Sequence, residues 1–384
     1  VTFNQKTLFT TNTDDLVLTA SYDGTVATGQ CAELVARYSE IHNEKRLSWT
    51  THLRLLKKLG AGGQGVVYLT ERRGSDSFSL PVALKIFSPE RYPTPAHYDA
   101  DMGRMGRVAA RVARIQHDNL LVVENFLDRD RIRMMVMERV EGFDLRRLLT
   151  PKMFSQVEQR MRADRWRELN RVVVTQGPDQ PRLKAGVAVQ IVRECLEALA
   201  AMHREGIVHG DIKPANIMLK RTGHSKIIDI GTAFDVEELP KRRTCTPAYA
   251  APEVLAGVEN TLRSDLASLG YVTIELLAGR QVFAGINELE ELLKAKQALP
   301  HRLNELLPEE VTCNSLLMSF LKGLTAPNPK QRFASAEHAD LLDQGAAAFH
   351  RQLIKGDLAS EYENDIRLWI DELFEMETDG LLTE

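Results

Sequence analysis

Cysteine is scarce and scattered in this chain: four residues in 384, Cys31, Cys195, Cys245 and Cys313, with no Cys-x-x-Cys spacing among them. That argues against a disulfide framework or a zinc site and makes a reducing, cytoplasmic setting the natural expectation. Long apolar runs are missing too. The most apolar stretch, Leu266 to Gly279, contains Glu275 and is too short to span a bilayer; it reads as a buried core helix, and no membrane partner is expected. Nor does charge of one sign prevail, since 49 Lys and Arg against 53 Asp and Glu leave a net charge of −4. Bulk electrostatics therefore recruit neither nucleic acid nor an anionic surface. Residues near Val1 do not follow the charged-then-apolar order of a signal peptide, and a first residue other than Met leaves room for residues upstream. Repeats and low-complexity tracts are absent. What remains is 43% hydrophobic and 27% charged residues, an ordinary globular composition in a chain long enough for two lobes.

Against these absences one segment stands out. His209-Gly210-Asp211-Ile212-Lys213-Pro214-Ala215-Asn216 is followed thirteen residues after Asn216 by Asp229-Ile230-Gly231. Asp211 can orient an attacking hydroxyl and accept its proton. Asn216 and Asp229 are the hard oxygen donors that Mg²⁺ prefers, and Lys213 can neutralise a phosphate during transfer. Phosphoryl transfer asks for positioning and charge stabilisation more than for covalent chemistry. Any one of these residues alone would read as part of a polar loop.

Residues 1–50 form an N-terminal extension, with a hairpin expected around Asp23-Gly24 and then Ala32, Leu34, Val35, Tyr38 and Ile41 at helical spacing. From Leu53 to Phe87 the pattern is strand, glycine-rich turn, strand, turn, strand; 96–116 is helical, and 120–140 returns to strand. Beyond Gly142 the chain is mostly helical. A charged insertion at about 150–185 carries Arg160, Arg162, Arg165, Arg167 and Arg171, which read as a solvated helix face with an acidic partner as the alternative. Helical spacing resumes over 187–204, 263–278, 287–298, 313–323 and 335–354. Residues 357–384 hold ten acids against one base, Arg367, yet Tyr362, Ile366, Trp369, Ile370 and Leu373 share one helical face. An amphipathic docking helix, seated in cis, is the expectation there.

Gly60-Ala61-Gly62-Gly63-Gln64-Gly65 lies between two strand patterns. Glycines at 60, 62 and 65 let backbone N–H groups approach phosphate oxygens. In a dinucleotide fold they would open a helix, whereas Val66-Val67-Tyr68-Leu69 opens a strand. Val82-Ala83-Leu84-Lys85 then sets a lysine in an apolar strand, where it needs a partner. Together these motifs resemble the protein kinase family over roughly residues 53–343. The resemblance implies an α+β, bilobal protein kinase fold: a β-rich N-lobe with one main helix (51–139), a helical C-lobe (140–343), and extensions at 1–50 and 344–384. It implies ATP and Mg²⁺ as cofactors, bound beneath the glycine loop, and a protein substrate with a Ser or Thr acceptor. Gly60, Gly62, Gly65, Val67 and Ala83 would surround the nucleotide, and Lys85 would meet its α- and β-phosphates. Backbone groups of Glu138 and Val140 would bind adenine beside the gatekeeper Met137, with Asp144 at the ribose. Asp211 becomes the catalytic base, helped by Lys213 and Lys85, and Asn216 and Asp229 become metal ligands. Thr246 to Glu253 resembles the end of an activation segment, Ser264 to Gly270 the helix whose Asp anchors the catalytic loop, and Arg332 the partner of Glu253.

Two family positions depart from the pattern. Gly210 stands where the family has the arginine that receives an activating phosphate, so phosphorylation of the segment is expected to matter less. Nine residues before His117, where the family has the helix acid that pairs with the strand lysine, is Val108, and Gly103 to Gln116 holds no acid at all. Asp101, sixteen residues after Lys85, is the acid available if the helix is shifted. These gaps keep a pseudokinase, a nucleotide-binding regulatory module, as an alternative. His209-Gly210-Asp211 also resembles the corresponding motif of small-molecule phosphotransferases. Those lack Lys213 and the Ala251-Pro252-Glu253 element, which favours a serine/threonine protein kinase. A regulatory protein docking on either extension is left open. His203 and His209 read as structural, Met134, Met135 and Met137 as strand core, and Lys241-Arg242-Arg243 as an exposed turn.

Overall fold

The computed structural model describes residues 20–21, 31–44, 53–74, 76–239, 244–258, 261–354 and 362–378. They belong to two compact units, one comprising Val1–Gln116, Leu121–Val140 and Ile230–Thr244, the other His117–Leu120, Glu141–Asp229 and Cys245–Glu384. The turn expected at Asp23-Gly24 and the charged turn Lys241-Arg242-Arg243 lie outside the described residues; the two-residue strand β1 (Ala20–Ser21) pairs with Thr244–Cys245.

The first unit is built on an antiparallel five-stranded sheet. After helix α1 (Ala32–Asn43) come β2 (Leu53–Gly62), β3 (Gly65–Arg73), β4 (Ser79–Phe87), helix α2 (Pro95–Val112), β5 (Val123–Arg129) and β6 (Ile132–Glu138), in the spatial order β2-β3-β4-β6-β5. β4 is buried from Val82 to Phe87, consistent with its near-continuous apolar run in the middle of the sheet. Helix α2 starts where Thr94 accepts a bond from His97 N–H with Pro95 next to it, a pre-organised helix start. It buries Tyr98, Met102, Met105, Val108, Ala109 and Val112. Helix α1 belongs to this unit: Leu34, Tyr38 and Ile41 are buried, His42 Nδ1 lies 2.8 Å from the Tyr68 hydroxyl, and Glu44 pairs with Arg129 at 2.7 Å.

The second unit is mainly helical. β7 (Gly142–Asp144) leads into α3 (Leu145–Leu148), and the insertion folds as α4 (Pro151–Arg160), α5 (Ala163–Val172) and a small hairpin, β8 (Val174–Thr175) with β9 (Arg182–Leu183). α6 (Ala185–Arg204), β10 (Ile207–Val208), β11 (Ile217–Lys220), β12 (Ser225–Ile227), α7 (Pro252–Leu255) and α8 (Leu262–Ala278) follow. The apolar stretch noted in the sequence is α8, buried from Ser264 to Ala278 and closed by Gly279 at φ +68°, a left-handed stop that glycine makes at no steric cost. α9 (Leu289–Leu306) runs past the expected end at 298, through Pro300, because Leu299 and Leu303 are buried and hold the later turns. α10 (Glu309–Thr312) and α11 (Ser315–Thr325) come next. The single helix expected over 335–354 is two, α12 (Ala336–Leu341) and α13 (Ala346–Ile354). The reversal between them brings Gly345 so near the chain that an added Cβ would lie 2.6 Å from the Ala339 and Asp340 carbonyl oxygens.

The last helix, α14 (Tyr362–Thr378), docks in cis within this unit. Tyr362, Ile366, Trp369, Ile370 and Leu373 are all buried. Phe374 stacks on Phe143 with ring centroids 5.0 Å apart. Arg165 reaches Asp365 at 3.5 Å and Glu372 at 3.3 Å, Arg221 reaches Asp371 at 2.6 Å, and Arg147 reaches Glu377 at 3.1 Å. Four of the acids of this helix, Asp365, Asp371, Glu372 and Glu377, are thus met by arginines of α3, α5 and the turn after β11.

Candidate active site

In the first unit the loop between β2 and β3 is a two-residue turn, with Gly62 paired to Gly65 and Gly63-Gln64 at its tip. Gly65 is demanded by the fold: its φ is +142°, and a Cβ there would lie 1.9 Å from the Ile86 carbonyl oxygen. At Gly60 and Gly62 a Cβ would meet no atom of the chain within 4 Å, so internal packing does not explain those two glycines. Lys85, opposite Val67 on β3 and Met135 on β6, is only 4% exposed. Its ammonium donates to Gln64 Oε1 at 2.7 Å. Ala83 pairs with Met137, and both are buried. Glu138 donates its N–H to the Val122 carbonyl at 3.0 Å, and its carboxylate accepts from Val122 N–H at 2.7 Å. Val140 is half-buried.

Asp101 is committed elsewhere than the shifted-helix expectation required. Its carboxylate takes Arg104 Nη2 at 2.6 Å, the Tyr92 hydroxyl at 2.5 Å and Arg91 at 3.5 Å. Helix α2 is instead an arginine helix, a feature the sequence reading missed. Arg104 donates to the Ala233 carbonyl at 3.3 Å, Arg107 to Glu238 at 3.2 Å, and Arg111 pairs with Asp235. The i, i+3, i+7 spacing of those arginines, with acids just past Asp229-Ile230-Gly231, was the available signal.

In the second unit the candidate catalytic loop hangs from α8. Asp265 is 1% exposed and accepts from His209 N–H and Gly210 N–H, both at 2.9 Å, with His203 Nε2 also at 2.9 Å. Burial pushes its carboxyl up, but His203, His209 and the Gly210 N–H outweigh that and hold it below the usual range. Gly210 sits at φ +79°, a left-handed conformation that glycine adopts freely and that costs a residue with a Cβ. The loop then presents Asp211. Its Oδ1 accepts from the Thr246 hydroxyl at 2.7 Å and its Oδ2 lies 2.8 Å from Lys213 Nζ, which also donates to Thr246 at 3.0 Å.

Asn216 Nδ2 donates to the Asp211 carbonyl at 2.8 Å, which orients the amide and leaves Oδ1 as its acceptor. β11 pairs with β12 through Ile217 and Ile227, and Ile228 N–H donates to the Asn216 carbonyl at 2.8 Å. Asn216 and Asp229 are thereby brought to one end of the same ladder. Asp229 has φ +63°, a conformation costly for a residue with a Cβ and concentrated at functional positions. Asp144 caps α3, accepting from Arg147 N–H at 3.0 Å, and burial pushes its carboxyl up.

Farther along, Arg332 makes a buried two-pronged pair with Glu253 at 2.6 and 2.7 Å, as the sequence resemblance implied. Two buried ionisable groups had no role assigned from the sequence: Glu275, noted only as the acid inside the apolar stretch, and Lys296. Glu275 accepts from the Tyr249 hydroxyl at 2.6 Å and from Gln180 at 3.3 Å, and burial pushes it up to about 7. Lys296 donates to the Ala248 carbonyl at 2.7 Å with Tyr271 and Phe283 ring centroids each 4.0 Å away, and burial drives it well below a normal lysine.

Residues 53–341 match the family described as protein kinase domain. The chain belongs to that family. Among curated relatives of this protein kinase, it is 29% identical over 311 residues to the serine/threonine-protein kinase pkn2 of Myxococcus xanthus, covering 78% of this chain and 32% of the relative. To the serine/threonine-protein kinase PrkC of Bacillus subtilis it is 29% identical over 291 residues, covering 74% and 39%. To PknL of Mycobacterium tuberculosis it is 30% identical over 291 residues, covering 73% and 61%. The chain thus spans about a third of the length of the first of these relatives and under two thirds of the others. Among solved structures, the kinase domain of M. tuberculosis PknI, a double mutant, aligns at 23% identity and a TM-score of 0.50, over 81% of this chain and 99% of that one. That likeness shows the fold: α+β, the bilobal kinase fold.

Proposed function

We propose that this kinase transfers the γ-phosphoryl group of ATP to Ser or Thr hydroxyls of proteins. The observation that carries the reading is the Asp211 carboxylate, fixed by Thr246 and Lys213 while its loop is hung from Asp265. A carboxylate so placed can orient an acceptor hydroxyl and take its proton, and Lys213 can steady the charge on the moving phosphoryl group. The relatives named serine/threonine-protein kinases point the same way.

Asn216 and Asp229 would hold Mg²⁺, which supplies charge neutralisation at the phosphates. The donor set fits: a side-chain amide oxygen and a carboxylate at one end of a ladder are hard ligands. Among the described residues no group of three His, Cys, Asp or Glu is arranged to hold a metal ion, and Mg²⁺ commonly takes few protein ligands and completes its shell with water and phosphate. Gly60, Gly62, Gly65, Val67, Ala83 and Lys85 would receive ATP, with Glu138 and Val140 at adenine and Asp144 at the ribose. Among the described residues no helix is long and apolar enough to cross a membrane. Free cysteines, three of them buried, suit a reducing cytoplasm.

The test is transfer of radiolabelled phosphate from ATP with Mg²⁺, to a generic protein substrate and to the chain itself, by wild type and Asp211→Ala. Transfer by wild type alone is expected. Activity persisting in Asp211→Ala overturns the assignment, and nucleotide binding without transfer in wild type favours a pseudokinase.

A further inference from the structure

Resting on the kinase reading above, we propose that Lys296 of α9 is a positioning residue for the protein acceptor: it holds the Ala248 carbonyl and so fixes the turn that sets Thr246 against Asp211.

The buried residues of α9 are Leu292, Lys296, Leu299 and Leu303, an apolar stripe in which a lysine takes the place of a leucine. Lys294, two residues earlier, is exposed. Lys296 is 0% exposed, and burying an amine costs free energy unless it finds an acceptor. Its Nζ lies 4.0 Å from the ring centroids of both Tyr271 and Phe283 and donates to the Ala248 carbonyl at 2.7 Å.

Ala248 sits inside a turn. Tyr249 N–H and Ala250 N–H donate to the Thr246 carbonyl at 2.9 and 3.0 Å. The peptide joining Ala248 to Tyr249 is therefore held twice, its C=O by Lys296 and its N–H by Thr246. A planar trans peptide points these two groups in opposite directions, so together the bonds stop the plane from rotating. Thr246 opens the same turn. Its hydroxyl donates to Asp211 Oδ1 at 2.7 Å and accepts from Lys213 Nζ at 3.0 Å. A polypeptide that presents its own hydroxyl to Asp211 must run past this turn, whereas none of the groups that hold Lys296 is assigned to ATP. The Tyr249 hydroxyl is fastened separately, to Glu275 at 2.6 Å, so that side chain stays anchored when Lys296 is changed.

The experiment measures kcat/KM for a generic protein substrate and ATP affinity by calorimetry with Mg²⁺, on the full chain. The variants are Lys296→Met, Lys296→Gln and Leu299→Ala, with circular dichroism and thermal unfolding on each. Leaving a buried carbonyl without its donor costs about a tenfold factor. Lys296→Met should therefore lower kcat/KM for the protein about tenfold and leave Kd for ATP unchanged. Lys296→Gln keeps an N–H donor on a stem one atom shorter and should fall between wild type and Lys296→Met. Leu299→Ala loosens the same helix without touching the donor, so it should lower the melting temperature and keep kcat/KM. Transfer by Lys296→Met at the wild-type level overturns the proposal, as does a matching loss of ATP affinity. A loss in Leu299→Ala as large as in Lys296→Met assigns the effect to the packing of α9 and overturns it too. If Lys296→Met is unfolded, Lys296→Gln beside Leu299→Ala carries the test, the first losing transfer and the second keeping it. A wild type that transfers no phosphate overturns the kinase reading and the proposal with it; a wild type that transfers while Lys296→Met matches it overturns the proposal alone.

Discussion

Asp211 and Lys85 are both charged and both enclosed, but they are held in different ways. Asp211 stands on a loop anchored by a buried carboxylate, with Thr246 and Lys213 fixing both of its own oxygens. Lys85 stands on a strand, and one of the groups it donates to, Gln64, is a neutral amide on the turn of a hairpin. The first arrangement is over-determined, so it tolerates Gly210 where the family has arginine: the Gly210 N–H still binds Asp265. In the second, one of the lysine's contacts comes from the neighbouring turn, which a substitution there can change without moving the strand. Chemistry placed on the loop should therefore be lost all at once, while chemistry placed on the lysine should be tunable.

The largest expected effect tests the over-determined side. Asp211→Ala should lower the rate of transfer by roughly 10²–10⁴, the usual contribution of a positioned general base, with the melting temperature nearly unchanged. Initial-rate assays beside thermal unfolding check this. Asp265→Ala strikes the same loop from behind. It leaves His203 and two backbone N–H groups buried without their acceptor, so it should cost about 3–5 kcal/mol of stability by denaturant titration and reduce the rate as well. A variant that lost activity at full stability would mean that the loop is held chiefly by other contacts.

Much of this was legible in the sequence because the motifs state their chemistry locally. Asp211, Lys213, Asn216 and Asp229 fall within one short segment, and strand–turn–strand around Gly62 to Gly65 follows from glycine and β-branched residues alone. The Tyr362 to Leu373 stripe announced a docking helix by its spacing. Its seat on Phe143 and Arg165 could not be read, since those partners lie some two hundred residues away in the chain. The same reason hid the arginines of α2, whose acids are 124 to 131 residues distant. An acid for the lysine was sought at Asp101, which the structure binds to Arg104, Tyr92 and Arg91 instead, and the bond from Lys85 to the loop glutamine was not foreseen.

The docking of α14 sharpens the comparison, since the helix braces the second unit beside β11, which follows Asn216. Trp369 is 2% exposed, and Trp369→Ala should cost about 3–5 kcal/mol. Truncation after Ile354 should lower the melting temperature further, while the oligomeric state in light scattering stays the same. Loss of a complex with no thermal change would instead assign the stripe to a partner.

Glu275 shows what a buried acid does without the partners that Asp265 has. Its folded value of about 7 lies above its ordinary 4.5, so the folded state binds more protons than the unfolded state between those values. The contribution of this one group to stability is therefore fullest below about pH 4.5 and falls as pH rises to about 7, by up to roughly 3 kcal/mol. Glu275→Gln should flatten that slope in unfolding titrations. A slope identical in the variant would place the titration on another group.

The smallest expected effect is at Thr244, and it tests whether the loss of the arginine at 210 was compensated. A phosphate on the segment normally finds that arginine, and here Gly210 offers only an N–H already bound to Asp265. The segment has a different anchor. Arg104 holds the Ala233 carbonyl, Arg111 pairs with Asp235, and Arg107 meets Glu238. The last pair is exposed on both sides and contributes little; Arg111 and Asp235 are more sheltered and should carry most of the effect. These acids are permanent, so the helix holds the segment without a phosphate. Thr244→Ala should then retain most of the wild-type rate, and Arg111→Ala should reduce it more than Thr244→Ala does. Steady-state rates for Thr244→Ala, Thr244→Asp and Arg111→Ala decide the matter. A collapse in Thr244→Ala that Thr244→Asp restores would show that another basic group receives the phosphate and that α2 does not replace it.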